Sequence, residues 1–184
     1  MKDRTSRSGR GPRAVPSGAE PRGGAQIVVA PRSRPPFEVG AHALEDDTYH
    51  VLSASPELRE PTEHPIRVWT AVHEQEPAEP GSVIVKAGTP LRLLAVVHDL
   101  SEEPTWREAW VAAALEAVLR EAERRAITHL GLEPLGAVHG NLRPDRFVSM
   151  LHGALESVRP QRLERVWLMP KAGTERAWEG ALGE

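Results

Sequence analysis

The chain has 184 residues, 40% hydrophobic and 27% charged, which suits one ordinary domain with flanking segments. It has no cysteine, which excludes disulfides, thiolate zinc sites, iron–sulfur clusters and a cysteine nucleophile. No stretch approaches the roughly 18 apolar residues of a membrane span, and no apolar run follows the basic start as in a secretory leader, so a cytoplasmic protein without a membrane partner is expected.

The net charge of −3 hides an asymmetry. Residues 1–36 carry eight basic side chains against Asp3 and Glu20, a balance of +6, which leaves −9 on the remainder. Such an arm can meet nucleic acid or an acidic partner. It has no aromatic residue before Phe37 on which a base would stack, and arginine is favoured throughout the chain. A solvated tail is the expectation, with nucleic acid not a partner.

Taken in order, residues 1–24 are rich in Gly, Pro, Ser and Arg, lack an apolar period, and are expected to be a disordered basic tail. Gln26–Ala30 reads as a first strand, stopped by Pro31. Phe37–Leu44 and Thr48–Ala54 read as a hairpin turning at Glu45-Asp46-Asp47. Ser55–Pro65 is a polar loop, and the alternation in Ile66–Val72 predicts a strand. An acidic, proline-rich loop follows over Glu74–Gly81. Next come a strand at Ser82–Lys86, a turn, and a strand at Leu91–His98 whose unbroken apolar run fits an interior position covered on both faces.

Thr105 and Glu108 have capping-box spacing, which predicts a helix over Trp106–Arg125. Its expected buried face is Trp106, Trp110, Ala113, Ala114, Ala117, Val118 and Ala122. A short strand at Ala126–Leu132 follows, making a parallel pair with Leu91–His98 across the crossover helix. After the glycine loop Gly136–Gly140, a second helix is predicted at Asp145–Val158, with Phe147, Val148, Met150, Leu151, Ala154, Leu155 and Val158 on one stripe. The last strand is Leu163–Met169. Residues 171–184 are expected to be a loose tail.

The loop Gly136-Ala137-Val138-His139-Gly140-Asn141 is the first candidate site. Glycines allow close backbone approach to an anion, and successive amides before a helix supply donors and a favourable dipole. Arg143 lies close enough in sequence to help. An ordinary strand-to-helix connection explains the same residues. His98-Asp99, at the end of a buried strand, is a second possible pocket, because open α/β sheets bind ligands at the C-terminal ends of their strands. Neighbours on an extended chain face opposite ways, so a hydrogen-bonded structural role for His98 competes with proton transfer. The eight histidines show no HExxH-like spacing, and no P-loop or Gly-x-Ser-x-Gly elbow occurs. No metal, cofactor or catalytic residue is assigned. The acidic clusters Glu45–Asp47, Glu74–Glu79 and Glu102-Glu103 are expected in solvated loops.

Pro80–Gly88 with Leu91–His98, the Ala-rich stretch Trp110–Arg125, and Ile127–Leu130 with Pro134–Gly140 together resemble the macro domain family over about half the chain. The resemblance implies an α/β fold over residues 25–170, a three-layer α/β/α macro-domain-like form with a mixed sheet. It also implies an ADP-ribose-like nucleotide as partner, with Gly136–Asn141 as the diphosphate loop. The family's loop usually reads Gly-x-Gly-x-x-Gly, whereas this one is a residue shorter and lacks the middle glycine. The family's Asn-Ala-(Asn) segment, glycine triplet and adenine-selecting Asp have no counterpart. The leading expectation is a non-catalytic module binding ADP-ribose or a related phosphate-bearing nucleotide. The alternatives are a protein-interaction or accessory protein with an inactive pocket and, third, a weak ADP-ribosyl hydrolase working through His98 or Asp99.

Overall fold

The computed structural model describes residues 24–53 and 76–183. The expected basic tail and the strand at Ile66–Val72 lie outside the described residues. The strands are β1 (Gln26–Val29), β2 (Ala41–Asp47), β3 (Val83–Lys86), β4 (Leu91–His98), β5 (His129–Leu132) and β6 (Arg165–Leu168). The helices are α1 (Glu108–Arg124), α2 (Pro144–Val158) and α3 (Glu175–Gly183). The six strands form one mixed sheet in the order β1-β6-β5-β2-β4-β3, parallel throughout except for the antiparallel edge strand β3. The architecture is α/β with a mixed sheet, as the sequence implies. Helix α1 packs on β4 and α2, and α2 on α3.

The strand order changes the reading of the sheet centre. Among the described residues 37–53 no hairpin forms. Instead β2 runs as a single parallel strand between β5 and β4, so β4 and β5 are parallel without being neighbours. Turn propensity at Glu45-Asp46-Asp47 loses to tertiary context, because each of these carboxylates finds donors inside the fold.

The core follows from side-chain size. Ala41 and Ala43 on β2, with Leu93, Ala95 and Val97 on β4, are sealed under α1. Helix α1 buries Val111, Ala114, Leu115, Val118, Leu119 and Ala122. Its inner face is therefore rotated toward the leucines, while Ala113 is exposed. The expected capping box does not form: Arg107 is the N-cap and makes no side-chain cap bond. The Thr105 carbonyl instead accepts from the Asp99 amide at 2.8 Å, and Trp106 bridges back to His98. Helix α2 starts on Pro144, where proline's missing N–H costs nothing, and buries Phe147, Val148, Leu151, Ala154 and Leu155.

Glycine is required where β5 passes β2. A Cβ on Gly131 would stand 2.4 Å from His42 Nδ1, so the imidazole fills the space that a side chain there would take. His42 also meets Trp167 edge-on at 5.8 Å.

The C-terminal residues expected to be loose form α3. Trp178 anchors them, 5% exposed and edge-to-face with Phe147 at 5.6 Å. Burial of one large aromatic offsets the ordering of a short helix.

Two outcomes follow for stability. Trp178→Ala should cost about 3 kcal/mol in denaturant unfolding, and limited proteolysis should then cut within 171–183. His42 supplies a pH dependence: burial first, and the Arg32 guanidinium second, hold its pKa below the ordinary 6.5. The unfolded chain therefore takes up this proton before the folded one, so the contribution of His42 is intact above that value and is lost as pH falls below it. Melting temperatures between about pH 7.5 and 5.5 should decline less steeply for His42→Gln than for the unsubstituted chain.

Candidate functional site

The glycine loop lies where β5 leads into α2, beside the C-terminal ends of β2 and β4. Its geometry is set by two glycines. Gly136 has φ +77°, and a Cβ there would lie 2.9 Å from Val111 Cγ2. A Cβ on Gly140 would lie 2.2 Å from the Gly136 carbonyl oxygen. No other residue type lets the loop fold this tightly over α1.

The loop's amides do converge on an anion, and that anion belongs to the chain. The Glu45 carboxylate accepts from Gly136 N at 2.8 Å and Val138 N at 3.3 Å through Oε2, and from His139 N at 3.0 Å through Oε1. His98 Nε2 hydrogen-bonds the same Oε1. The Glu45 side chain is 0% exposed and that of His98 2%. A β-bulge produces the second contact. The β2–β4 register slips between Asp46 and Asp47, pairing Asp46 with Val96 and Asp47 with His98. The extra residue, Val97, re-aims His98 toward Glu45.

The expected anion site is therefore divided. Gly136, Val138 and His139 turn their amides inward onto Glu45, and Ala137 N donates to Pro134 O at 3.0 Å. Gly140 and Asn141 face outward. They line a cleft of about 650 Å³ with Glu103, Pro104, Thr105, Trp106, Arg107, Glu108 and His139. Arg143 is not aimed at the loop: its guanidinium is 77% exposed and paired with Asp145. Asp99 does not pair with His98. It accepts from Ser101 N and Oγ at 2.9 and 2.6 Å, outside the buried cluster.

The carboxylates expected in solvent at Glu45–Asp47 are buried, and Asp46 and Asp47, unlike Glu45, are satisfied by the turn that follows them. Asp46 accepts from Ser53 N and Oγ and pairs with His50 Nδ1 at 2.6 Å. Asp47 accepts from the amides of Tyr49 and Leu52 at 2.8 and 2.7 Å. Glu133 accepts from Glu45 N at 3.1 Å and pairs with Arg32 at 3.0 Å. Burial is the main cause that pushes the Glu133 carboxyl above the ordinary carboxylate range. By contrast, Glu76, Glu79, Glu102 and Glu103 are exposed. On the cleft wall, Arg146 holds Glu108 below the ordinary range by hydrogen bonding to it.

Sequence reasoning missed Glu45 and the cleft wall 103–108. The wall had no signal beyond its tryptophan and arginine. The Glu45 signal was present: an apolar alternation, Ala41, Ala43, then Glu45, continuing on one face into an acid. Among the described residues no cluster of His, Asp and Glu is placed to hold a metal ion, and no helix is long and apolar enough to cross a membrane.

No protein-family model and no curated protein matches the chain. Solved structures do. An Oceanobacillus iheyensis macrodomain with ADP superposes at TM-score 0.62 and 10% identity, over 90% of this chain and 94% of that one. The macrodomain of Thermus aquaticus DarG gives 0.57 at 18% identity, over 79% and 99%. The macrodomain of Mycobacterium tuberculosis DarG gives 0.57 at 16%, over 80% and 100%. At such identities it is the path of the backbone that is shared, and by that path this protein has the macrodomain fold.

Proposed function

We propose that the protein is a non-catalytic binding module for a phosphate-bearing nucleotide of the ADP-ribose type, held in the cleft beside Gly140 and Asn141. The observation that carries this reading is the cleft's position: about 650 Å³ of space directly against the outer half of the glycine loop, ahead of α2. That volume suits a nucleotide. The indole of Trp106 and the ring of His139 offer faces for a base, and the Gly140 and Asn141 amides offer donors to a phosphate oxygen. Arg107, which pairs with Glu102, offers a guanidinium that a phosphate would share, and of the wall's two carboxylates Glu108 is already paired with Arg146. Solved macrodomains of similar fold support the ligand class, one with ADP and another, a mutant, with ADPR.

A hydrolase is disfavoured by the same geometry. His98 is committed to Glu45, Asp99 to Ser101, and neither lines the cleft. The second reading, an accessory protein with an inactive pocket, is favoured by one observation, the occupation of three loop amides by Glu45.

Calorimetric titration with ADP-ribose separates the two. The binding module should give a dissociation constant of about 1 μM to 1 mM, weakened roughly tenfold by Arg107→Ala through loss of a charge-assisted contact. Gly140 is unsuitable for this test, because even a Cβ there collides with Gly136. Absence of heat from folded protein would sink the nucleotide reading in favour of the accessory one.

A further inference from the structure

A backbone cradle built for an oxyanion and already filled from within is a selective device. Three amides and an imidazole point at one carboxylate that solvent cannot reach. The carboxylate is delivered by the central strand of the sheet, between β5 and β4, and its own amide is tied to Glu133. It cannot swing away as a surface side chain can, since Ala43 on the same strand and Ala95, the register partner of Glu45 on β4, are wholly buried. An external anion entering the cradle would have to share it with a second negative charge or leave Glu45 buried and unpaired, and both are strongly unfavourable. Tethering also gives Glu45 an effective concentration that no free ligand matches.

We infer that Glu45 is the internal ligand of its own loop, holding Gly136, Val138 and His139 closed against external phosphates and carboxylates. Any nucleotide the cleft takes then meets only the His139 side chain, Gly140, Asn141 and the wall at 103–108. This last clause rests on the nucleotide reading above; the assignment of Glu45 does not.

The test removes the occupant and offers it back. Glu45→Ala deletes atoms that amount to acetate. The variant should melt below the unsubstituted protein, and acetate should raise its melting temperature in a saturable way. Inorganic phosphate is the second probe. Both should bind the variant at least about tenfold more tightly than the unsubstituted protein, the equivalent of one charge-assisted hydrogen bond. A variant that responds to neither anion, or an unsubstituted protein that responds equally, overturns the assignment.

Should Glu45→Ala fail to fold, amide exchange on the unsubstituted chain decides. The amides of Gly136, Val138 and His139 should exchange slowly and those of Gly140 and Asn141 fast, and phosphate should leave the first three resonances unmoved. Fast exchange at those three, or their displacement by phosphate, overturns the inference. A missing ADP-ribose signal would end the nucleotide reading while leaving both of these results to stand for or against Glu45.

Discussion

A carboxylate buried without partners destabilises a fold by several kcal/mol, and Glu45 sits wholly inside this one. Its acceptance by Gly136, Val138, His139 and His98 is what makes that position tenable. The cost is met by backbone donors that would otherwise be orphaned as β5 gives way to α2. Each group supplies what the others lack, so the end of β2, the bulged end of β4 and the glycine loop are fixed together. The loop's tight path, with glycine at 136 and 140, follows from wrapping three amides around one side chain.

The same rule organises the remaining acids at the sheet's C-terminal edge. Asp46 and Asp47 are buried because the turn after β2 folds its own amides and the Ser53 hydroxyl onto them. Glu133 is less well compensated. The Glu45 amide and Arg32 favour its charged form, while burial and the neighbouring Glu45 charge oppose it, and the balance leaves its carboxyl raised. A raised carboxyl is protonated earlier in the folded chain than in the unfolded one, so this group favours folding as pH falls through its window and opposes it above. His42 has the opposite sign, and its buried, unpartnered Nδ1 marks an imidazole kept neutral by packing.

Function follows from how the loop is split. In an open α/β sheet the ends of the parallel strands and the following helix N-terminus form the natural place for an anion. Here the inner half of that place is filled by the fold itself. What faces outward is a cleft lined by one indole, one imidazole, the Arg107 guanidinium paired with Glu102, the carboxylates of Glu103 and Glu108, and the backbone at Gly140 and Asn141, and the proposed binding rests on stacking and hydrogen bonding there. Neither His98 nor Asp99, the residues weighed for acting on a bond, lines it.

Much of the fold was legible in the chain. The apolar run Leu91–His98, the helix stripe at Phe147–Leu155 and the turn residues of Gly136–Gly140 are local signals, because burial on both faces, helical periodicity and positive φ each demand particular residue types in succession. So was the resemblance to macro domains, carried by the order of those elements. What the tertiary structure alone decided is the fate of charged groups. A carboxylate's propensity for turns is a statement about water, and Glu45 left water only because loop donors 91 to 94 residues along the chain and a bulge in a neighbouring strand arrived to meet it. Trp178 is the apolar counterpart: one aromatic in a polar tail predicts nothing until Phe147 offers it a face. Periodicity is written in consecutive residues, but the partner of a lone buried group is chosen by the topology.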